Sequence, residues 1–277
     1  MLTMPETPIL TAAFFSPTAS LPPPTRLRWY MCVVVTLSSF NYPDVIPQVY
    51  AHLDSDLLSI LSPEDRFSAV RKLREGLIKS TGIVGAARTG NAMRTLASCI
   101  PEELQEKETS LRSQEPDHVA RERGKAFWSR IYARNRAFDP GATVRASPDY
   151  AFVVRGLEPF FSFLLSFVFL EDPATYRYYM LMRVMLFVEV LYARIFSFDA
   201  VIDDLLTGYV IVSALYGMDC PNQLQNHMKG MLINGATRED LEELRDLCLG
   251  LAKVLGMRFR HAPPLIPEKP DERESSG

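Results

Sequence analysis

The sequence predicts an all-α fold, and three observations lead to that prediction. Apolar residues recur at helical spacing in several segments, and residues that start or stop helices bracket those segments. The composition, with 47% hydrophobic and 23% charged residues, is typical of an ordinary globular protein. Proline is concentrated towards the two ends of the chain. We therefore expect a helical body over residues 26–260, between disordered tails at 1–25 and 261–277.

The first part of the body contains an apolar segment at 29–38 and then two predicted helices. Ser62-Pro63-Glu64-Asp65 is a typical helix start, because it combines a Ser cap, Pro at the first helical position and acidic residues in the first turn. This helix is predicted to end at Thr81-Gly82, and the next covers 86–97. An exposed amphipathic helix is expected at 119–134.

Residues 157–196 differ from the rest of the body because they are rich in Phe, Leu and Met. Neither apolar run, 159–170 or 178–192, reaches the roughly 20 apolar residues that a membrane-spanning helix needs. A buried or oligomer-facing helix is therefore favoured over a membrane hairpin around 159–192, and no membrane partner is expected. The abrupt change in composition would also fit translated non-coding sequence.

Three helices are predicted over 205–256, the most informative stretch of the chain. The first, 205–218, is apolar and contains small residues that permit close packing. A second helix begins after Cys220-Pro221, because proline is favoured at the first helical position, and stops at Asn234-Gly235. The third opens with Thr237-x-x-Asp240, which has the spacing of a capping box.

Cys220, Gln223 and His227 lie on one face of the middle helix, because positions i, i+3 and i+7 align. The start of a helix favours the thiolate form of Cys220. A histidine such as His227 can transfer a proton near neutral pH, and Gln223 can orient a carboxylate or a carbonyl. These three residues form a candidate site for an acidic substrate. The alternative is a capped helix end with one structural histidine.

The pattern Q-L-x-x-H-x-x-G followed by N-G-A-T-R-E-D resembles the signature of the carboxymuconolactone decarboxylase and alkylhydroperoxidase D-like proteins, across about residues 205–256. A weaker resemblance to the fungal branch of that family covers much of 28–135, and 157–190 has no counterpart. The resemblance implies an all-α, AhpD-like helical bundle that assembles into a homo-oligomer, a trimer or a hexamer. It also implies a small-molecule substrate.

The resemblance implies a role for each site residue. In the peroxidase branch a C-x-x-C pair precedes the histidine, so Cys220 matches the first cysteine and His227 the histidine, whereas Gln223 stands at the second cysteine. The acid of that branch's proton relay falls at Gly208. The decarboxylase branch is cofactor-free and works through its histidine. The resemblance therefore favours a cofactor-independent lyase with His227 and Cys220 as catalytic residues and Gln223 as a substrate-binding residue.

Two alternatives to the lyase stay open. One is a redox protein of the peroxidase branch that uses the single thiol of Cys220. The other is a non-catalytic, oligomeric member of the family, because the acid and the second cysteine are both absent.

Charge and the scarcity of reactive residues exclude several classes of function. The net charge of -3 provides no basic surface, so no nucleic-acid partner is expected. Four cysteines without a C-x-x-C pair predict no metal site and a reducing compartment, the cytoplasm or alternatively the mitochondrion. The sequence Ser275-Ser276-Gly277 is not a peroxisomal tripeptide. No cofactor is expected.

The other polar candidates have simpler interpretations. Arg88 and Arg94 could face a pocket and pair with an anion. Structural roles are expected for the other three cysteines and for two further histidines, which lack metal-ligating neighbours at a useful spacing: Cys32, Cys99, Cys248, His52 and His118.

Overall fold

The computed structural model describes residues 6–106, 110–132 and 188–268, together with residues 145 and 147. The regular elements in these ranges are all helical, which confirms the predicted all-α class, and no strand occurs within them. In chain order the α-helices are α1 (Ala12–Phe15), α2 (Pro23–Phe40), α3 (Ile46–Asp56), α4 (Pro63–Val84), α5 (Ala86–Cys99), α6 (Leu111–Gln114), α7 (Asp117–Tyr132), α8 (Asp204–Gly217), α9 (Pro221–Ile233) and α10 (Arg238–Val254).

The chain divides into two compact units. Of the described residues, the first unit contains 6–106 and 199–268, and the second contains 110–132, 145, 147 and 188–198. The sequence predicted one body over 26–260, whereas the structure divides this range into two units. The cause of this division is that α7 packs chiefly on residues 188–196, which are distant in sequence.

Two helices, α2 and α8, form the centre of the first unit. All residues from Tyr30 to Phe40 are buried, as are those from Tyr209 to Tyr216. A helix that is apolar on all sides is stable only inside the core, which explains both placements. The helices approach closely where the Ser39 hydroxyl donates a hydrogen bond of 2.7 Å to the carbonyl of Ala214. Helix α10, by contrast, buries one apolar stripe and exposes its other face.

Helix ends follow the predicted local chemistry in most places. The Ser62 side chain accepts a hydrogen bond from the amide of Asp65 at the start of α4. Thr237 and Asp240 form a reciprocal capping box at the start of α10, with distances of 2.9 and 3.1 Å. The predicted end of α4 was wrong by three residues, because Gly85, with a φ of 84°, turns the chain instead of Thr81-Gly82.

The prediction that residues 1–25 form a disordered tail is wrong for the part from residue 6 onwards. The amide of Leu10 donates to Gln48 Oε1 at 2.9 Å, and the Phe15 ring stacks on His52 with 3.9 Å between centroids. Leu10 and Phe15 are both buried. Apolar contacts and a long-range side-chain acceptor, which local composition does not encode, fix this segment to α3.

The prediction of disorder over 261–277 is likewise wrong for residues 261–268. The Asp219 carboxylate accepts hydrogen bonds from the backbone amides of Arg260 at 2.6 Å and His261 at 3.3 Å. Further along, Ile266 is buried. Residues 1–5 and 269–277 lie outside the described part of the chain.

The second unit is built on α7 and a π-helical segment, Val188–Phe196. A Cβ added to Gly124 would lie 2.6 Å from the backbone of Ala193, so glycine permits the close approach of the two elements. Phe127 and Ile131 are buried, which confirms the amphipathic face predicted for this helix. Most of the unusual 157–196 segment, residues 157–187, lies outside the described residues.

Within the described ranges, no helix is both long and apolar enough to cross a membrane. The apolar runs at 159–170 and 178–187, where a membrane hairpin was considered, lie outside those ranges.

Candidate functional site

The candidate site lies at helix α9, whose start is fixed by three consecutive residues. Asp219 has a φ of 53° and turns the chain out of α8. Cys220 occupies the N-cap without a capping hydrogen bond from its side chain, and Pro221 takes the first helical position. Proline has no amide to satisfy there and its fixed φ suits a helix. The local sequence therefore places a thiol at the helix end.

His227 lies on the same helix but deep in the protein. Its exposed fraction is only 5%. Burial lowers the pKa of its imidazole from 6.5 to about 4, because the protein interior disfavours the cation. His227 is therefore neutral at physiological pH. The sequence predicted a histidine that titrates near neutrality, and its burial changes that expectation.

The three predicted site residues share one helical face but lie at three different depths. His227 is buried, Cys220 is half-buried and Gln223 is exposed. The Cys220 thiol donates a hydrogen bond of 3.4 Å to the carbonyl of Met218. A molecule that reached the face from solvent would thus meet Gln223 and Cys220 before His227.

Position 208 is packed in a way that explains its glycine. A Cβ added to Gly208 would lie 2.6 Å from Cγ of Met231, and real Cβ atoms do not come so close to a neighbour. Met231 is on α9, one helical turn after His227. The space that an acidic side chain would need at this point is filled by α9 itself. The close packing of α8 on α9 therefore accounts for the glycine at position 208.

The sequence did not predict three buried charged residues on α4, which are Arg74, Glu75 and Lys79. Glu75 is 2% exposed and Lys79 is fully buried. The Lys79 ammonium donates a hydrogen bond of 2.6 Å to the hydroxyl of Thr207, which in turn donates to the carbonyl of Asp203 at 2.7 Å. The sequence did contain a sign of this burial, since Glu75 and Lys79 lie one turn apart among the apolar residues of α4. It was missed because charged residues are normally assigned to the exposed face.

Two other cysteines lie in the core, as predicted. Cys32 on α2 is 1% exposed and Cys248 on α10 is fully buried. Burial raises the pKa of Cys32 to about 11 and strongly raises the pKa of Cys248. The sulfur of Cys248 lies 3.6 Å from the hydroxyl of Thr36. Cys99 is half-buried, and its thiol donates to the carbonyl of Thr95 at 3.1 Å.

A cleft of about 400 Å³ lies beyond the C-terminal end of α9. Its lining includes Leu232, Thr237, Arg238 and Glu268, and none of the predicted site residues. No group of three metal-ligating side chains occurs among the residues for which the structure gives a position.

Comparison with known proteins yields two significant relatives from yeasts. The chain is 28% identical over 237 residues to a protein of Schizosaccharomyces pombe named Peroxisomal protein 2, covering 86% of this chain and 90% of that protein. It is 23% identical over 294 residues to Peroxisomal protein 2 of Saccharomyces cerevisiae, covering 86% and 92%. No family model matches the chain. No solved structure gives a significant match either.

The relatives bear on location rather than on chemistry. Both are named for the peroxisome, whereas the sequence alone led us to expect the cytoplasm or the mitochondrion. Their shared name mentions no substrate and no reaction. The geometry of α9 is therefore the main basis for a functional proposal.

Proposed function

We propose that the chain is a peroxisomal, cofactor-independent enzyme of the carboxymuconolactone decarboxylase-like type, with its active site on α9. It acts on a small carboxylated or oxygenated metabolite and transfers a proton through His227. The observation that carries the proposal is the buried, neutral imidazole of His227 behind a half-buried thiol on one helical face. Its sequence basis is the resemblance of residues 205–256 to that family.

The protonation state of His227 determines what the residue can do. A neutral imidazole can accept a proton from an acidic carbon or hydroxyl and return it to the product. With a pKa of about 4 the free enzyme holds a weak base. A bound carboxylate close to the ring would favour the imidazolium ion and raise the pKa of His227 towards neutrality. An anionic substrate would thus make His227 a stronger base for its own proton transfer.

Gln223 and Cys220 have supporting roles in this proposal. The exposed amide of Gln223 can donate to, or accept from, the polar groups of a substrate at the mouth of the site. Cys220 contributes a wall of the site near the start of α9. Thr207 and Lys79 pack on the side of α8 that faces α4, and this role for α9 does not require them.

The experiment has two steps. Native mass spectrometry of the protein with a library of small carboxylic acids identifies a ligand, and turnover of that ligand is then measured. We expect His227→Ala to abolish turnover while circular dichroism and oligomer mass stay unchanged. His118→Ala, which removes an exposed histidine on α7, is the matched control and should keep full activity. Full turnover by the His227→Ala variant would contradict the assignment.

The peroxisomal location has its own test. Fractionation of cells that express the untagged chain should place it with peroxisomal matrix markers. Recovery with cytosolic or mitochondrial markers would contradict this part of the proposal.

A second candidate function is favoured by the accessibility of one thiol. Cys220 is half-buried at a helix end, and Gln223 stands where a resolving cysteine would be. Hydrogen peroxide would oxidise the Cys220 thiol to a sulfenic acid with release of water, and two external thiols would reduce it back to the thiol with release of water and their own disulfide. Mass spectrometry after peroxide treatment tests this reading. Absence of a dimedone-trapped sulfenate at Cys220 would contradict the hypothesis of a single-thiol redox protein.

The resemblance also implies self-assembly, which we propose as a trimer or a hexamer. Light scattering coupled to size-exclusion chromatography should give three or six times the chain mass of 31.3 kDa. A monomer would remove this part of the proposal. A non-catalytic, oligomeric protein becomes the better reading if the oligomer forms but no library compound is turned over.

A further inference from the structure

Arg88 holds a fixed position in the first turn of α5. Gly85, with a φ of 84°, joins α4 directly to α5 and sets the direction of this turn. The Arg88 Nη1 donates to the carbonyl of Ser39 at 2.6 Å and lies 3.3 Å from the sulfur of Met218. The side chain is half-buried. One nitrogen thus anchors the guanidinium.

The contacts of Arg88 are all with neutral groups. Among the described residues, no carboxylate forms an ion pair with its guanidinium, and Nε and Nη2 make no hydrogen bond. The nearby acid, Asp219, is directed elsewhere, because its carboxylate binds the amides of Arg260 and His261 and the His261 ring. A guanidinium matches a carboxylate through two parallel N–H donors, and one edge of Arg88 is available for this.

Arg88 and Cys220 both contact Met218. The guanidinium contacts the side chain of Met218, and the Cys220 thiol donates to the carbonyl of Met218. An anion held by Arg88 would therefore lie close to the turn that opens α9. Arg94, on the same helix, is exposed, and among the residues that the structure describes it donates only to Asn91.

We propose that Arg88 is a substrate-binding residue that holds the carboxylate of the substrate beside Cys220. This inference rests on the proposed function. It adds one substrate-binding residue and the requirement that the substrate carry a negative charge. It explains why a half-buried arginine is held in place without an acidic partner among the described residues. The contact with Ser39 needs only Nη1, so holding the end of α2 leaves the other nitrogens to the ligand.

A comparison of thiol reagents tests Arg88 without knowledge of the substrate. Cys220 is treated with 5,5'-dithiobis(2-nitrobenzoate), which carries two carboxylates, and separately with the neutral 4,4'-dithiodipyridine. The ratio of the two rates reports the charge near the thiol, and Cys220→Ser gives the background from the other cysteines. At low ionic strength we expect Arg88→Gln to lower this ratio about threefold, because a positive charge that attracts the anionic reagent is lost.

Two controls keep the result specific. Arg94→Gln removes an exposed arginine of the same helix and should leave the ratio unchanged. Arg88→Lys keeps the charge and should retain most of the ratio, and salt should lower the wild-type ratio towards that of Arg88→Gln. An unchanged ratio in Arg88→Gln overturns the inference. If Arg88→Gln does not fold, a wild-type ratio that is insensitive to salt overturns it instead.

The outcome is independent of the turnover experiment. A lowered ratio together with full activity of His227→Ala would mean that Arg88 attracts anions at a site that is not the proposed active site. An unchanged ratio together with inactive His227→Ala would leave the active site in place and remove Arg88 from it.

Discussion

Three of the four cysteines of the chain lie in two contrasting settings. Cys32 and Cys248 lie within the packed centre of the first unit, where burial raises the pKa of both thiols. Cys220 lies half-buried at the start of α9, beside a turn that Asp219 makes with a positive φ. The same side chain is thus inert packing material in one place and accessible in the other. Burial decides which, because the residue type is the same in both places.

The comparison extends to the other polar groups of each region. In the core, Thr36 hydrogen-bonds within its own helix, to the carbonyl of Cys32 at 2.8 Å. On α9, His227 stays neutral because it is buried, while Gln223 on the same face is exposed. A gradient of exposure along one helical face is what a small binding site needs.

The largest expected difference is in thiol reactivity. Native protein treated with a neutral disulfide reagent should lose the Cys220 thiol more than about 10³ times faster than those of Cys32 and Cys248, because the latter react only after unfolding. Peptide mapping by mass spectrometry at several times gives each rate. Labelling of Cys248 at a rate close to that of Cys220 would remove the distinction between the two settings.

The next effect is the pH dependence that His227 adds to stability. The unfolded chain takes up a proton at His227 near pH 6.5, whereas the folded protein resists it until about pH 4. Stability from this group is therefore complete above pH 6.5 and falls by about 3 kcal/mol as the pH drops to 4. His227→Gln should lose this slope, measured by urea unfolding at a series of pH values. His118→Gln is the control, and equal slopes in wild type and His227→Gln would contradict the burial.

A smaller effect is expected at the contact between α8 and α9. Gly208→Ala should destabilise the protein by about 2 kcal/mol, because the added Cβ meets Met231 at 2.6 Å. The same change in a Met231→Ala background should be neutral or stabilising. The control is Gly250→Ala on α10, where a Cβ meets nothing within 4 Å and should stabilise by about 0.5–1 kcal/mol. Urea midpoints measure all four variants, and additive effects would disprove the contact.

The smallest effect compares the two thiols as packing groups. Cys248→Ala should cost about 1 kcal/mol, because it leaves a small void in a fully buried site. Cys220→Ala should stay within about 0.5 kcal/mol of wild type, as a substitution outside the core usually does. Differential scanning calorimetry measures both, and a larger loss at Cys220 would reverse the comparison.

Local signals predicted most helix boundaries well. Ser62 caps α4, and Thr237 with Asp240 opens α10, because a cap depends on residues within one turn. Gly85 in place of Gly82 as the end of α4 shows the limit of that approach. Both glycines allow a left-handed turn, and the choice depends on tertiary packing.

Features that depend on distant residues were not predictable in the same way. The segment at 6–25 is fixed by Gln48 and His52, which lie well over twenty residues away. On α9, helical spacing predicted that Cys220, Gln223 and His227 share a face, but not that they lie at different depths. Depth is set by what packs against the helix. The buried Lys79 was missed for the same reason, since its partner Thr207 lies on α8.

One measurement addresses the central claim, that α9 carries a buried, neutral histidine able to serve as a catalytic base. The chain has four histidines, so their ring protons can be followed by NMR during a pH titration, with His227→Gln to assign the signal. We predict that His227 titrates with a pKa of about 4, well below the ordinary histidine value of 6.5. A pKa near 6.5 would place His227 in contact with solvent and contradict the site described for α9.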